Sequence, residues 1–361
     1  MADKKEISLL VDNLRMPMMI GIVFIHTHFF KYIDAHTLQS LSAYNAVSYI
    51  ITDLICQLFV PAFFIIAGYF FFKEKQLTPE LYRTKLTKRF FSLFIPFLFW
   101  NALMLMIMLV QEKYLGATSS RMGTMTDYSF SDWLYAFFDD NRSSTIYDNP
   151  GQPASVQFWF IRDLILICLI SPLIYWIVRT NKYLSLVLLT IIYFLPWHIP
   201  HLNNLSITYF GIGVWLQIYD IDFIGCAKKG LGGLLLISLI GMTGNYFAEQ
   251  NDILYAIKAC RIVFILSGLL VVVAIVCHLQ QKRGHLLPSY IEQSSFFVFA
   301  YHIVPTAILC QLACRLLPHN SLCLIIAYLT IPFVITAIGV AISIFLHRFM
   351  PRFTAIITGG R

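Results

Sequence analysis

Apolar runs close to 20 residues long recur from Met16 almost to the C-terminus, and few of them carry a charge. A helical crossing of the bilayer needs about 20 mostly apolar residues, so each run is a candidate span. Only 12% of the residues are charged and 58% are hydrophobic, whereas a soluble domain carries about 25% charge. The expected fold is therefore an all-α, polytopic membrane helical bundle. On the length criterion about ten spans fall near 15–34, 48–72, 90–111, 156–179, 183–199, 203–219, 230–248, 254–279, 292–314 and 321–347. Pro96, Pro172, Pro196, Pro305 and Pro332 lie inside them, which buried packing tolerates in a membrane bundle. Only residues 112–155 read as a polar, turn-rich loop, so one membrane domain over 1–361 is expected.

The basic residues orient this layout. With the N-terminus inside, cytoplasmic segments hold Lys4, Lys5, the cluster from Lys73 to Arg89, Arg179, Lys182, Lys228 and Lys229. They also hold Lys282, Arg283, Arg348, Arg352 and Arg361, while the outer segments keep only Lys31, Lys113, Arg121, Arg142 and Arg315. Such a bias places both termini in the cytoplasm, and the net charge of +7 then reflects topology rather than nucleic-acid binding. The N-terminus lacks a short apolar core with a small-residue cleavage site, so the first run reads as a retained span. The long loop lies outside, with Asp139, Asp140, Asn141, Asn149 and Pro150 among its residues and a short interfacial helix over 131–138. The eight cysteines form no CxxC and no zinc-like spacing. They are expected to be small buried hydrophobes, with neither disulfides nor a metal site.

Ionisable side chains inside a span cost on the order of 2.5–3.5 kcal/mol, so each needs a reason. Arg15 and His26 are about three helical turns apart and share one face, with His26 about 16 Å above Arg15. Arg15 then sits at the cytoplasmic mouth and His26 at or beyond mid-bilayer; His28 points almost oppositely. Arg15 alone reads equally as an anchor that snorkels to headgroups. His302 lies ten residues past Glu292 and at a depth close to that of His26. Phe158-Trp159-Phe160-Ile161-Arg162-Asp163 opens the fourth span near the outer boundary; adjacent residues on a helix do not face each other, so Arg162 and Asp163 each need a separate partner. Lys258 and Arg261, with Asp252 and Asp53, form a further outer polar group.

Taken together, these residues resemble the bacterial acyltransferase 3 membrane proteins. The family's arginine, ten residues, then histidine is matched by Arg15 and His26. Pro61-Ala62-Phe63-Phe64-Ile65-Ile66-Ala67-Gly68-Tyr69 resembles its phenylalanine-rich segment ending Ser-Gly-Phe, with Ala67 where the family has serine. Lys85-Leu-Thr-Lys88-Arg89 is similar to its basic entry into the third span, and Trp159-Phe160 and Ala300-Tyr301-His302 to its later segments. The resemblance implies transfer of an acetyl or other short acyl group from cytoplasmic acyl-CoA to a hydroxyl of a surface or lipid-linked carbohydrate. It implies a multi-pass enzyme of the bacterial inner membrane, with acyl-CoA as co-substrate and no bound cofactor. In that reading Arg83, Lys85, Lys88 and Arg89 hold the CoA phosphates beside Arg15, and His26 is the general base or a transient acyl carrier. Trp159, Arg162, Asp163 and His302 support the acceptor. The competing class is a secondary transporter or flippase of an envelope glycan precursor, which would move substrate without releasing CoA.

Overall fold

The computed structural model describes residues 4–116, 122–140 and 151–360, and they are α-helical with no strand among them. The longer helices are α1 (Lys4–His26), α2 (Ser42–Phe71), α3 (Pro79–Leu115), α4 (Val156–Thr180), α5 (Lys182–Phe194) and α6 (Asn204–Ile218). They continue with α7 (Phe223–Gln250), α8 (Leu254–Arg283), α9 (Ser289–Tyr301), α10 (Ile303–Leu316), α11 (Ser321–Phe349) and α12 (Pro351–Thr358). Among the described residues seven helices are long and apolar enough to cross a membrane, and α9 with α10 makes an eighth span bent by 72°. The protein is thus a polytopic all-α membrane protein.

Each of the ten expected apolar segments is helical, but two are short. With 13 and 15 residues, α5 and α6 rise only about 20 and 22 Å, less than the roughly 30 Å of a hydrocarbon core. The expected span over 183–199 ends at Phe194 because Pro196 follows. The residue before a proline is pushed out of the helical region, and Leu195 is extended at ψ 137. As a consecutive pair, α5 and α6 contribute two crossings or none, so the alternation of every later segment is the same either way. The first span also differs: α1 runs from Lys4 and stops at His26 rather than near residue 34. Its last carbonyls are already taken. Thr27 Oγ1 donates to Val23 O at 2.8 Å, the Thr27 N–H to Phe24 O at 3.0 Å, and Thr52 Oγ1 to the same Phe24 carbonyl at 3.3 Å.

The chain forms two compact units, residues 1–63 with 220–345, and residues 64–219 with 346–361. The first unit contains α1 and the α7–α8 hairpin. Gly241 lets the two hairpin helices close, since a Cβ there would stand 2.8 Å from the Phe264 amide nitrogen; small residues serve membrane helices in this way. Buried Asn13 fastens α1 to the end of α8: its amide donates to Gln280 Oε1 at 3.3 Å and Gly284 O at 3.2 Å, and its oxygen accepts from Leu286 N–H at 2.7 Å. Glu249 accepts from Tyr49 Oη, Asn245 Nδ2 and Arg261 Nη2 at 2.8–2.9 Å, so the charge of Arg261 is answered within this unit.

In the second unit the C-terminal part of α2 crosses α6 at a pair of glycines. A Cβ on Gly68 would lie 2.1 Å from Phe210 O, and one on Gly213 2.0 Å from Ile65 O. Trp100 Nε1 on α3 donates to Ile357 O on α12 at 2.9 Å. The described parts of the 112–155 loop are more ordered than its turn-rich sequence suggests. Phe130–Ala136 is a helix closed by a Ser129/Asp132 capping box, and Met125, Ala136 and Ala154 pack with Leu105 and Met108 of α3. Asp139 and Asp140 are buried rather than solvated. Arg121, Asn141, Arg142, Asn149 and Pro150 lie outside the described residues.

Candidate active site

The first unit brings His26 and His302 together, with ring centroids 5.2 Å apart and planes inclined by 49°. Their arrangement follows from two helix interruptions. His26 is the last residue of α1, and its side chain is half-buried. His302 stands where α9 gives way to α10. Pro305 accounts for the bend: it has no N–H to give the Tyr301 carbonyl, and its ring collides with that carbonyl. Helical bonding resumes one residue later, with Thr306 N–H on His302 O at 3.0 Å.

The environment of His302 selects its tautomer. Its Nδ1 lies 2.7 Å from Phe299 O, and since a carbonyl can only accept, Nδ1 carries the hydrogen. In the neutral ring Nε2 is then a bare acceptor. It is buried and has no hydrogen-bond partner among the described residues, and the same holds for Thr306 Oγ1. In the same unit, Thr52 Oγ1 and Tyr328 Oη are 2.8 Å apart, and the Tyr328 ring packs edge-on against Phe24 of α1 at 5.4 Å. Thr52 and Tyr328 carry no charge, so nothing in the apolar pattern of the sequence marks them out. His28 lies beyond α1 and stacks on Phe30 at 4.2 Å; burial first, then the Lys31 ammonium, holds its imidazole below the ordinary range.

Arg15 is on α1, pairs with Asp12 at 3.1 Å, and keeps half of its side chain exposed. In the second unit, the basic cluster is the first turns of α3 rather than a loop. Lys85 is engaged there by Glu74 and by Phe71 O, and lies over the Phe71 ring. Burial works against the Glu74 carboxylate, but Lys85 and backbone N–H groups outweigh it and hold the carboxyl below its usual range. Arg83 and Lys88 are exposed, and Arg89 lies over the Phe71 ring at 5.9 Å.

Arg162 and Asp163 do meet each other, against the expectation from their adjacency. Arg162 Nη2 and Nε reach Asp163 Oδ1 at 3.0 and 3.3 Å, and both side chains are fully buried. Asp163 Oδ2 accepts from Ser206 Oγ at 2.7 Å, Asn203 N–H at 3.1 Å and Asn203 Nδ2 at 3.3 Å. Arg162 Nη1 donates to Phe138 O at 2.9 Å and Gly151 O at 3.1 Å. The pair thus ties the outer loop, α4 and the start of α6 into one network. Trp159, one turn before, is half-buried against Phe64 with centroids 6.4 Å apart.

Comparison with known proteins identifies the family. The family model described as an acyltransferase domain matches residues 9–348. The succinoglycan biosynthesis protein ExoH of Rhizobium meliloti (strain 1021) is 24% identical over 370 residues, covering 99% of this chain and 93% of that protein. No solved structure matches. The chain belongs to the acyltransferase 3 family of membrane acyltransferases.

Proposed function

We propose that the protein transfers an acetyl or other short acyl group from cytoplasmic acyl-CoA to a hydroxyl of a surface or lipid-linked carbohydrate, in the bacterial cytoplasmic membrane. The observation that carries this reading is the His26–His302 pair inside an apolar helical unit, 5.2 Å apart by ring centroid. Family membership supports acyl transfer, and a relative named for succinoglycan biosynthesis supports a carbohydrate acceptor.

In this mechanism Arg83, Lys88 and Arg89 are the phosphate-binding groups of the second unit, and within the first unit Arg15 and His26 lie along α1. Lys85 is withdrawn from that role by its Glu74 partner. His26 takes the proton of the acceptor hydroxyl as its oxygen attacks the thioester carbonyl, because imidazole exchanges protons near neutral pH. The C–O bond forms, the C–S bond breaks, and the departing thiolate recovers the proton. His302, whose bare Nε2 can only accept, orients a donor group of the acceptor beside His26. Arg162 and Asp163 support the acceptor side indirectly, by holding the outer loop in place.

The test uses purified protein, radiolabelled acetyl-CoA and candidate glycans, scoring CoA release and labelled product together. His26→Ala is expected to lose activity by about 100-fold or more, as for removal of a general base. Wild-type turnover by a well-folded His26→Ala protein would end the mechanism, and glycan movement without CoA release would favour a transporter.

A further inference from the structure

The hydroxyl of Thr306 has no role in the fold described above. A threonine inside a helix ordinarily turns its hydroxyl onto the carbonyl four residues back. Thr84, Thr87, Thr190, Thr330 and Thr336 all do so here, at 2.6–3.0 Å. Thr306 does not, although the His302 carbonyl is in register and accepts the Thr306 N–H at 3.0 Å. Its side chain is 1% exposed, and Oγ1 has no partner among the described residues. A buried hydroxyl without a partner costs about 1–3 kcal/mol, so such a group needs a reason to persist.

Position supplies the reason. His302 is itself in helical conformation, at φ −60 and ψ −29, so Thr306 stands one turn along on the same face of the helix. That face begins at the ring packed against His26. Pro305, between them, removes the one N–H that would close the turn over Tyr301. One turn of helix beside the two histidines therefore presents a bare acceptor, His302 Nε2, and a hydroxyl donor, Thr306 Oγ1, both buried.

We propose that Thr306 donates its hydroxyl hydrogen to the carbonyl oxygen of the acyl group during transfer, and is a catalytic residue of the reaction proposed above. As the acceptor oxygen bonds to the carbonyl carbon and its proton passes to His26, the carbonyl electron pair moves onto oxygen. That oxyanion accepts the Thr306 O–H bond. When the C=O re-forms, the C–S bond breaks and the thiolate leaves with the proton from His26, so Thr306 ends unchanged. A donor aimed at charge that develops only in the transition state acts on kcat rather than on substrate binding.

The experiment compares Thr306→Val, nearly the same shape without the hydroxyl, and Thr306→Ser, which retains it. Each is purified and assayed for CoA release from acetyl-CoA with the glycan that wild type acylates. Thr306→Val is expected to lower kcat about 100-fold, with the KM for acetyl-CoA unchanged, in line with removal of one oxyanion donor. Thr306→Ser should recover most of that loss. The thermal midpoint of Thr306→Val should equal or exceed that of wild type, because an unpartnered buried hydroxyl has been removed. A structural hydroxyl predicts the reverse, a lowered midpoint with kcat retained in the folded fraction, and that result would overturn the assignment. So would wild-type kcat for Thr306→Val, as expected if the hydroxyl merely holds a water. Absence of CoA release by the wild-type protein would instead overturn the proposed function itself.

Discussion

Asp163→Asn removes one charge from the second unit while nearly preserving side-chain shape. The carboxylate accepts from Arg162 on one oxygen and from Asn203 and Ser206 on the other. An asparagine amide turns two N–H groups toward one of these sets, donor against donor, and takes the Asp163 charge away from a fully buried guanidinium. Breaking a buried pair in this way costs about 3–5 kcal/mol. Ser206→Ala removes one hydrogen bond to a charged group and should cost about 1.5–3 kcal/mol. Both are measured as thermal midpoints of detergent-purified protein, with limited proteolysis between residues 122 and 155 as a second readout. Arg162 holds the Phe138 and Gly151 carbonyls, so the outer loop of Asp163→Asn should be cut faster than that of Ser206→Ala. The folded fraction should keep its kcat. A wild-type midpoint with lost activity would refute the reasoning and make the pair part of the acceptor chemistry.

Gly68→Ala puts a methyl group 2.1 Å from the Phe210 carbonyl, which is backbone and cannot turn aside. Its cost should reach or exceed the upper end of the roughly 1–3 kcal/mol typical of overpacking. Gly232 has open space around it, so Gly232→Ala should leave the midpoint unchanged or raise it slightly, by up to about 1 kcal/mol of helix propensity. Equal midpoints for the two variants would contradict the close crossing of α2 and α6. For the donor, Lys88→Ala should raise the KM for acyl-CoA several-fold. Lys85→Ala should mainly lower stability, because its ammonium is already engaged by Glu74. Kinetics alongside midpoints tell the two apart, and a pure KM effect at Lys85 would count against the assignment.

Much of this architecture is legible in the chain because membranes impose long-period rules. A run of apolar residues is a helix in lipid whatever surrounds it, so ten segments are visible without tertiary information. His26 and His302 stand out for the same reason, since a titratable group deep in a span is conspicuous. Helix ends are less visible. α1 stops at His26, where the Thr27 N–H turns onto Phe24 O and Thr52, distant in sequence, adds a second bond to that carbonyl, and no local signal announces this. The end of α5 was signalled by Pro196 but hidden under a longer apolar run. Arg162 and Asp163 mislead for a geometric reason: neighbours on a helix diverge at Cβ, yet a side chain as long as arginine can curl round to the next carboxylate. Thr306 carries no charge, and only the missing back-bond that its equivalents make sets it apart.

The shortness of α5 and α6 has a consequence for the lipid around them. Where both cross, helices about 20 Å tall cannot match a hydrocarbon core of roughly 30 Å without some adjustment, such as a thinner local bilayer. Headgroups and water are then drawn inward along one flank of the second unit. If the acceptor of the proposed reaction is lipid-linked, its sugar meets less hydrocarbon on that flank, and less of its hydration has to be stripped before it enters.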